Sequence, residues 1–276
     1  MKLRKVTAAS AVVLALAVSV TACGGDKKDD ASGGKKIKIG IKFDQPGLGL
    51  KQPDGSFSGF DVDVATYVAK QLGYQPNQIE WVETKSADRE NALQRGDVKF
   101  IAATYSITDE RKQKVDFAGP YLLAHQDLLV KKGSDITKGT DLNSKKLCSV
   151  TGSTSAQNVQ KTIAPKANLR PLSGYSECVA GLQSGAVDAL TTDDSILAGF
   201  AAQDKYKGQF QLAGLKLSNE NYGIGVKKGD SATVDKINKA LEKMVSDKSW
   251  DKAVKDNFGP AHYKNEPAPK IGDIVK

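Results

Sequence analysis

Short apolar runs recur along this chain, each followed by a polar turn and then an amphipathic stretch. Residues 36–41 alternate as a strand, and 79–82 and the run opening at Phe100 repeat the signal. Between them, GFDVDVA from Gly59 to Ala65 leads into a helix running to Leu72, with Gly73 as its stop. A second helix is predicted over 86–94, before Gly96, and Pro53-Asp54-Gly55-Ser56 predicts a hairpin turn. After Tyr121 the pattern starts afresh, with strands at 128–130, 147–150, 169–172 and 189–192. Helices are expected over 156–163, 177–183 and from about 195 to 202. A late strand at 222–226, a helix over 231–245 and the 250–258 segment close the chain. Strand–helix alternation of this kind predicts an α/β architecture of two similar units, each with a mostly parallel sheet.

The stretch 100–121, FIAATYSITDERKQKVDFAGPY, carries the most concentrated chemistry. A buried strand ends in the hydroxyls of Thr104, Tyr105, Ser106 and Thr108. Thr108 then caps a short helix that opens with Asp109 and Glu110 and holds Arg111. Hydroxyls, free backbone N–H groups and a guanidinium converging on one spot suit a carboxylate. The plainer alternative is a capped surface helix with a solvated Arg. Ligands of open α/β sheets collect at the carboxyl ends of the strands. Here those ends carry Lys42, Thr104 to Ser106, Ser153 to Ser155, Tyr175 and Asp193. Two units turning these ends toward each other would enclose a zwitterion with extra negative charge.

The N-terminus changes the compartment. Residues 1–5 are basic, 8–20 are apolar, and Val20-Thr21-Ala22-Cys23 matches the bacterial lipoprotein cleavage box. The apolar run is too short for a stable spanning helix. A signal peptide over 1–22, a lipidated Cys23 and a flexible tether through 35 are therefore expected, an ordinary signal peptide with a chance Cys being the alternative. The formal charge of +8 falls to +5 without the three cations of residues 1–22. That mild excess suits a membrane-surface protein or an anionic ligand, not a nucleic-acid binder. With Cys23 spoken for, Cys148 and Cys178 are expected to form a disulfide outside the cytoplasm, two free thiols being the alternative. Cysteines and histidines lack metal-ligand spacing, so no metal is expected.

The lipobox, GFDVDVA, ATYSITDERKQKVDFAGPY, SVTGSTS and AVDALTTDDSIL together resemble the polar amino-acid-binding proteins of ABC importers. The likeness covers about 36–258. Within that group the chain is most similar to actinobacterial glutamate-binding lipoproteins, on its IGIKFDQPGLG opening and paired cysteines. The resemblance implies a two-lobe Venus flytrap, the type II periplasmic-binding-protein fold with two crossing strands. Lobe one would comprise 36–122 with 222–265, and lobe two 127–217. Crossings would fall near 123–126 and 218–221, and 266–276 would be a tail.

By the same resemblance, Arg111 clamps the ligand α-carboxylate, assisted by Thr104 and Ser106. Asp193 takes the α-ammonium, and Thr154 and Ser155 contribute from a helix start; Asp194 is a helix cap. Lys42, Arg89 and Tyr175 stand where relatives select the ligand side chain, and favour glutamate or aspartate over glutamine, histidine or arginine. Lys42 and Arg89 as solvated surface cations are the alternative. His125 falls at the first crossing in a hinge or core role, Trp81 and Trp250 pack in lobe one, and Phe43 and Gln45 stand at the mouth. The implied function is an extracytoplasmic, lipid-anchored monomer that captures an acidic amino acid and delivers it to importer membrane subunits, with no cofactor. Similar flytrap proteins include dehydratases, the enzyme alternative; the pocket offers no evident His or Glu for general acid–base work. A sensory lobe would require a transmembrane helix.

Overall fold

The computed structural model describes residues 34–276. The expected signal peptide, Cys23 and most of the expected tether lie outside the described residues. Strands β1 (Ile37–Ile41), β2 (Asp44–Gln45), β3 (Gly49–Lys51) and β4 (Phe57–Ser58) come first. Helix α1 (Phe60–Gln71), β5 (Ile79–Glu83), α2 (Arg89–Arg95), β6 (Phe100–Ile101) and α3 (Asp109–Lys112) follow. Then come β7 (Val115–Lys131), β8 (Lys146–Val150), α4 (Thr154–Asn158), β9 (Asn168–Leu172) and α5 (Tyr175–Ser184). The chain continues through β10 (Ala189–Asp193), α6 (Asp194–Ala201), β11 (Phe210–Leu212) and β12 (Asn219–Lys227). Helices α7 (Ser231–Ser246) and α8 (Ser249–Phe258) precede the C-terminal segment.

The strands run in the order β5-β1-β6-β12-β7-β10-β8-β9, with β11 also on β7. The expectation of mostly parallel sheets fails. Pairings β1–β5, β1–β6, β8–β9 and β8–β10 are parallel, but every pairing made by β7 and β12 is antiparallel. The architecture is a mixed α/β flytrap, and β7 is the strand its two halves share. Residues 115–125 of β7 pair with β12, whereas Gln126 to Val130 pair with β10. The changeover at His125–Gln126 falls inside the expected first crossing. Sequence alternation had broken this strand after Tyr121; it is continuous over 17 residues. Gly119-Pro120 lies within it. The strand tolerates them because its register with β12 slips between Tyr222 and Ile224, leaving Pro120 no ladder bond to supply.

Packing explains the layers. Ile37, Ile39 and Ile41 of β1 bury against Val64, Ala65 and Val68 of α1, and Ile237, Leu241 and Met244 of α7 join the same core. Each such side chain contributes on the order of 1.5–3 kcal/mol by leaving water. Trp250 meets Phe60 edge-on at 5.9 Å and donates its indole N–H to the Tyr121 carbonyl at 2.8 Å. Trp81 lies against Phe57, 5.9 Å between ring centres. A separate core of Leu128, Val130, Leu147, Val159 and Ala189 lies on the other side of the changeover. Cys148 and Cys178 are bonded, tying β8 to α5. Helix α2 begins at Arg89, later than the predicted start at 86, and α4 begins at Thr154 and finishes in a wider turn through Ile163. The tail is not loose: Val275 N–H donates to the Asn221 side chain, and Gly272 N–H to the Gly119 carbonyl.

Candidate functional site

The C-terminal ends of β1, β6, β8 and β10 face one another, and a small polar pocket lies where they meet. Ser86, Arg89, Thr104, Ser106, Arg111, Ser153, Thr154, Tyr175, Asp193 and Ile196 line it. Seven of the nine sequence-derived ligand residues thus share one pocket.

Arg111 is set by its short helix. Thr108 caps α3 as expected, accepting the Arg111 N–H at 3.2 Å. The guanidinium donates to the Ser106 carbonyl at 2.8 Å and, from the opposite wall, meets the Gly152 carbonyl at 3.1 Å. It also stands 5.0 Å from the Tyr105 ring centre. Arg111 is 8% exposed, so the solvated-Arg alternative is excluded.

Arg89 is buried more deeply, at 2% exposure. Its guanidinium stacks on Tyr105 at 4.0 Å. Nε donates to the Ser86 carbonyl at 3.3 Å, and Nη1 to the carbonyls of Ala103 and Thr104 at 3.0 and 3.2 Å. Burial and the neighbouring Arg111 cation lower its pKa to about 10. Lys42, 5% exposed, donates to Ser86 Oγ at 2.9 Å. It stands one hydrogen bond behind the pocket wall, in an adjoining recess with Asp44 and Ser176. Burial first, and then the Arg89 charge, push its pKa well below the usual lysine value. Neither cation is a solvated surface group.

Asp193 ends β10 on the opposite wall. Its Oδ2 accepts the Tyr222 hydroxyl at 2.5 Å. Burial, with the Glu220 carboxylate next in weight, raises its pKa well above the usual carboxylate value. Tyr175 donates to Ser153 Oγ at 3.2 Å, and Ser153 caps α4 by accepting the Ser155 N–H at 3.1 Å. Thr154 Oγ1 lies 3.4 Å from Glu220. Ser155 is not in the pocket wall: its hydroxyl is buried and has no hydrogen-bond partner. Asp194 opens α6 and accepts the N–H groups of Ser195 and His125, at 2.8 and 3.0 Å. His125 is occupied at the changeover, against Asn219 at 2.9 Å and Glu266 at 3.0 Å.

Several contributors were not legible as site residues. Asp61 is fully buried and accepts the Thr104 N–H at 2.9 Å and the Tyr121 hydroxyl at 2.7 Å. It sits in the first turn of α1. Burial raises its pKa to about 6, against the opposing pull of those two hydrogen bonds. Gln45, expected at the mouth, is instead fully buried and accepts the Thr104 hydroxyl at 3.2 Å. Ser86 and Ile196 carried no sequence signal, and Tyr222 and Glu220 arrive from β12, far along the chain.

Chemically, the pocket brings two buried guanidinium groups, Asp193 and several hydroxyls together, with Lys42 behind Ser86. Residues 37–260 match the profile of the bacterial extracellular solute-binding proteins, family 3. The chain belongs to that family. It is 46% identical to the glutamate-binding protein GluB of Corynebacterium efficiens over 271 residues, 93% of this chain and 91% of that one. It is 39% identical to the ABC transporter glutamine-binding protein GlnH of Bacillus subtilis, covering 92% and 97% of the two chains. Among solved structures, an ancestral arginine-binding protein bound to arginine superposes with a TM-score of 0.75 at 37% identity, covering 81% of this chain and 98% of that one. This family member is therefore a two-lobe solute-binding protein of extracellular type. Among its described residues no helix is long and apolar enough to cross a membrane. Nor does any described group of three or more His, Cys, Asp and Glu side chains have the arrangement to hold a metal ion.

Proposed function

We propose that this protein captures L-glutamate, with aspartate the shorter alternative, and passes it to an ABC importer. One observation carries the reading: Arg111 and Asp193 reach the same pocket from opposite walls, with Arg89 also lining it and Lys42 behind Ser86. A guanidinium opposite a carboxylate fits the α-carboxylate and α-ammonium of an amino acid. Arg89 and Lys42 add buried positive charge, which an acidic side chain offsets. Thr104, Ser106 and Thr154 supply hydroxyls around the backbone groups, and the Tyr175 phenol lies near the side chain. Ser155 supports the start of α4, its N–H held by Ser153 Oγ.

Lobe one is assigned to 36–122 with 222–265, lobe two to 127–217. A ligand bridging Arg111 and Asp193 holds the lobes together. Cys23 carries the lipid, which keeps the protein outside the cytoplasmic membrane, as a monomer. The GluB relative supports glutamate. Glutamine is the second reading, favoured by one feature: the Arg89 guanidinium is largely spent on the carbonyls of Ser86, Ala103 and Thr104. The role is binding without turnover, since Asp193 is committed to the ammonium.

The test is to denature natively purified protein and analyse the amino acids released. Glutamate or aspartate near one equivalent supports the proposal. Glutamine in that amount replaces it with the second reading.

A further inference from the structure

Across the cleft mouth, Asp44 of lobe one stands on the N-terminus of α5 in lobe two. Its Oδ2 accepts both the backbone N–H and the hydroxyl of Ser176, each at 3.2 Å. Helix α5 supplies no side-chain cap of its own, because its N-cap residue is Gly174. The acceptor comes instead from 132 residues earlier in the chain. A Cβ on Gly174 would lie 2.8 Å from that same Oδ2. The backbone at Gly174, φ −141° and ψ 157°, is open to any residue, so what a side chain there would displace is the carboxylate across the cleft. The seam is equally tight elsewhere. A Cβ on Gly152 would meet Ala87 Cα at 2.7 Å, and one on Gly199 the Pro46 carbonyl at 2.0 Å.

We propose that Asp44 is a closure latch: it sets affinity without touching the ligand, by capping α5 from the other lobe. The proposal rests on reading the cleft as an amino-acid site. A carboxylate at a helix N-terminus satisfies an orphan N–H and meets the positive end of the helix dipole. The cap exists only while the lobes are together, so it stabilises the closed form alone and slows ligand release. Asp44 does not line the pocket shared by Arg111 and Asp193, so its contribution is the same for every amino acid that closes the cleft.

The test compares wild type, Asp44→Ala, Gly174→Ala and Ser176→Ala, each stripped of ligand, with glutamate and glutamine as probes. Stopped-flow intrinsic fluorescence gives release rates, and calorimetry gives affinities. Asp44→Ala is expected to weaken both probes on the order of tenfold, mainly through faster release. Gly174→Ala, which keeps the Asp44 charge beside Lys42, gives the same uniform loss. Asp44→Ala combined with Ser176→Ala is non-additive. Ligand-free thermal midpoints stay within a few degrees of wild type. Unchanged affinities in Asp44→Ala would overturn the latch. So would a loss confined to glutamate, which would make Asp44 a partner of Lys42 in choosing the side chain. A wild type that takes neither probe overturns the reading of the site, and the latch with it.

Discussion

Thr104 adopts a left-handed backbone, φ 45°, and Asp61 Oδ2 accepts its N–H at 2.9 Å. A β-branched residue in that region costs on the order of 1–3 kcal/mol unless its surroundings hold it. Asp61 is the holder, and the turn it fixes aims the Thr104 carbonyl at Arg89. Asp61→Ala should therefore weaken binding of every amino acid, because the turn relaxes and Arg89 loses its seat. Asp61→Asn can keep both hydrogen bonds, one as acceptor and one as donor, and should retain most affinity. Calorimetry on the two variants checks this; equal losses would point to the charge, not the turn.

The same carboxyl gives a pH dependence of stability. Its folded pKa is raised from 3.8 to about 6. The folded protein thus holds this proton more tightly than the unfolded chain. The contribution is complete below about pH 4 and is lost as pH rises through about 6. Asp61→Asn should remove it, so the variant gains stability relative to wild type between pH 4 and pH 7. The expected gain is on the order of 2–3 kcal/mol. Denaturant melts at the two pH values measure it, and a pH-independent difference contradicts the assignment.

Arg111→Ala should abolish detectable binding of all amino acids, since the α-carboxylate is common to them. Losing one partner of a buried charge-assisted pair costs on the order of 3–5 kcal/mol, a factor of a hundred or more. A variant that still binds any amino acid tightly would show that the clamp lies elsewhere.

For the side-chain pocket, Lys42→Ala with Arg89→Ala should weaken glutamate far more than glutamine. Parallel titrations decide it. Equal losses would mean that both cations support the backbone, as the Arg89–carbonyl contacts already do in part.

Replacing Cys148 and Cys178 together by Ser should cost about 3–4 kcal/mol by the loop-closure estimate for their separation of 30 residues. Thermal melts measure this, and thiol counting on denatured wild type should find neither thiol free. Two reactive thiols would remove the bond.

Much of this site was legible because its residues sit beside strand ends and helix starts. Thr108 with Arg111 is a local cap signal, so four consecutive residues define that geometry; the cap that Ser153 makes on α4 emerged only from the fold. The strand lengths were less legible. Residues 115–131 form one strand because β12, roughly a hundred residues downstream, pairs with its first part and β10 with its second, partners that no local window contains. Asp61 escaped for a related reason. A first-turn acid normally faces water and serves the helix dipole, whereas this one is buried by Tyr121 and Thr104, which are distant in sequence. Glu220 and Tyr222 bear on Asp193 only through the antiparallel return of β12. Lys42 and Arg89 were readable as candidates, yet only the fold reveals that one stands behind Ser86 and the other is turned onto carbonyls.

The most direct test of the account is calorimetric titration of the protein, stripped of carried ligand by unfolding and dialysis, with glutamate, aspartate, glutamine and asparagine. Arg111 and Asp193 predict one-to-one binding, and Arg89 with Lys42 predicts that the acids bind more tightly than their amides. Preference for the amides would contradict the side-chain pocket while leaving the clamp. Silence toward all four would contradict the amino-acid site itself.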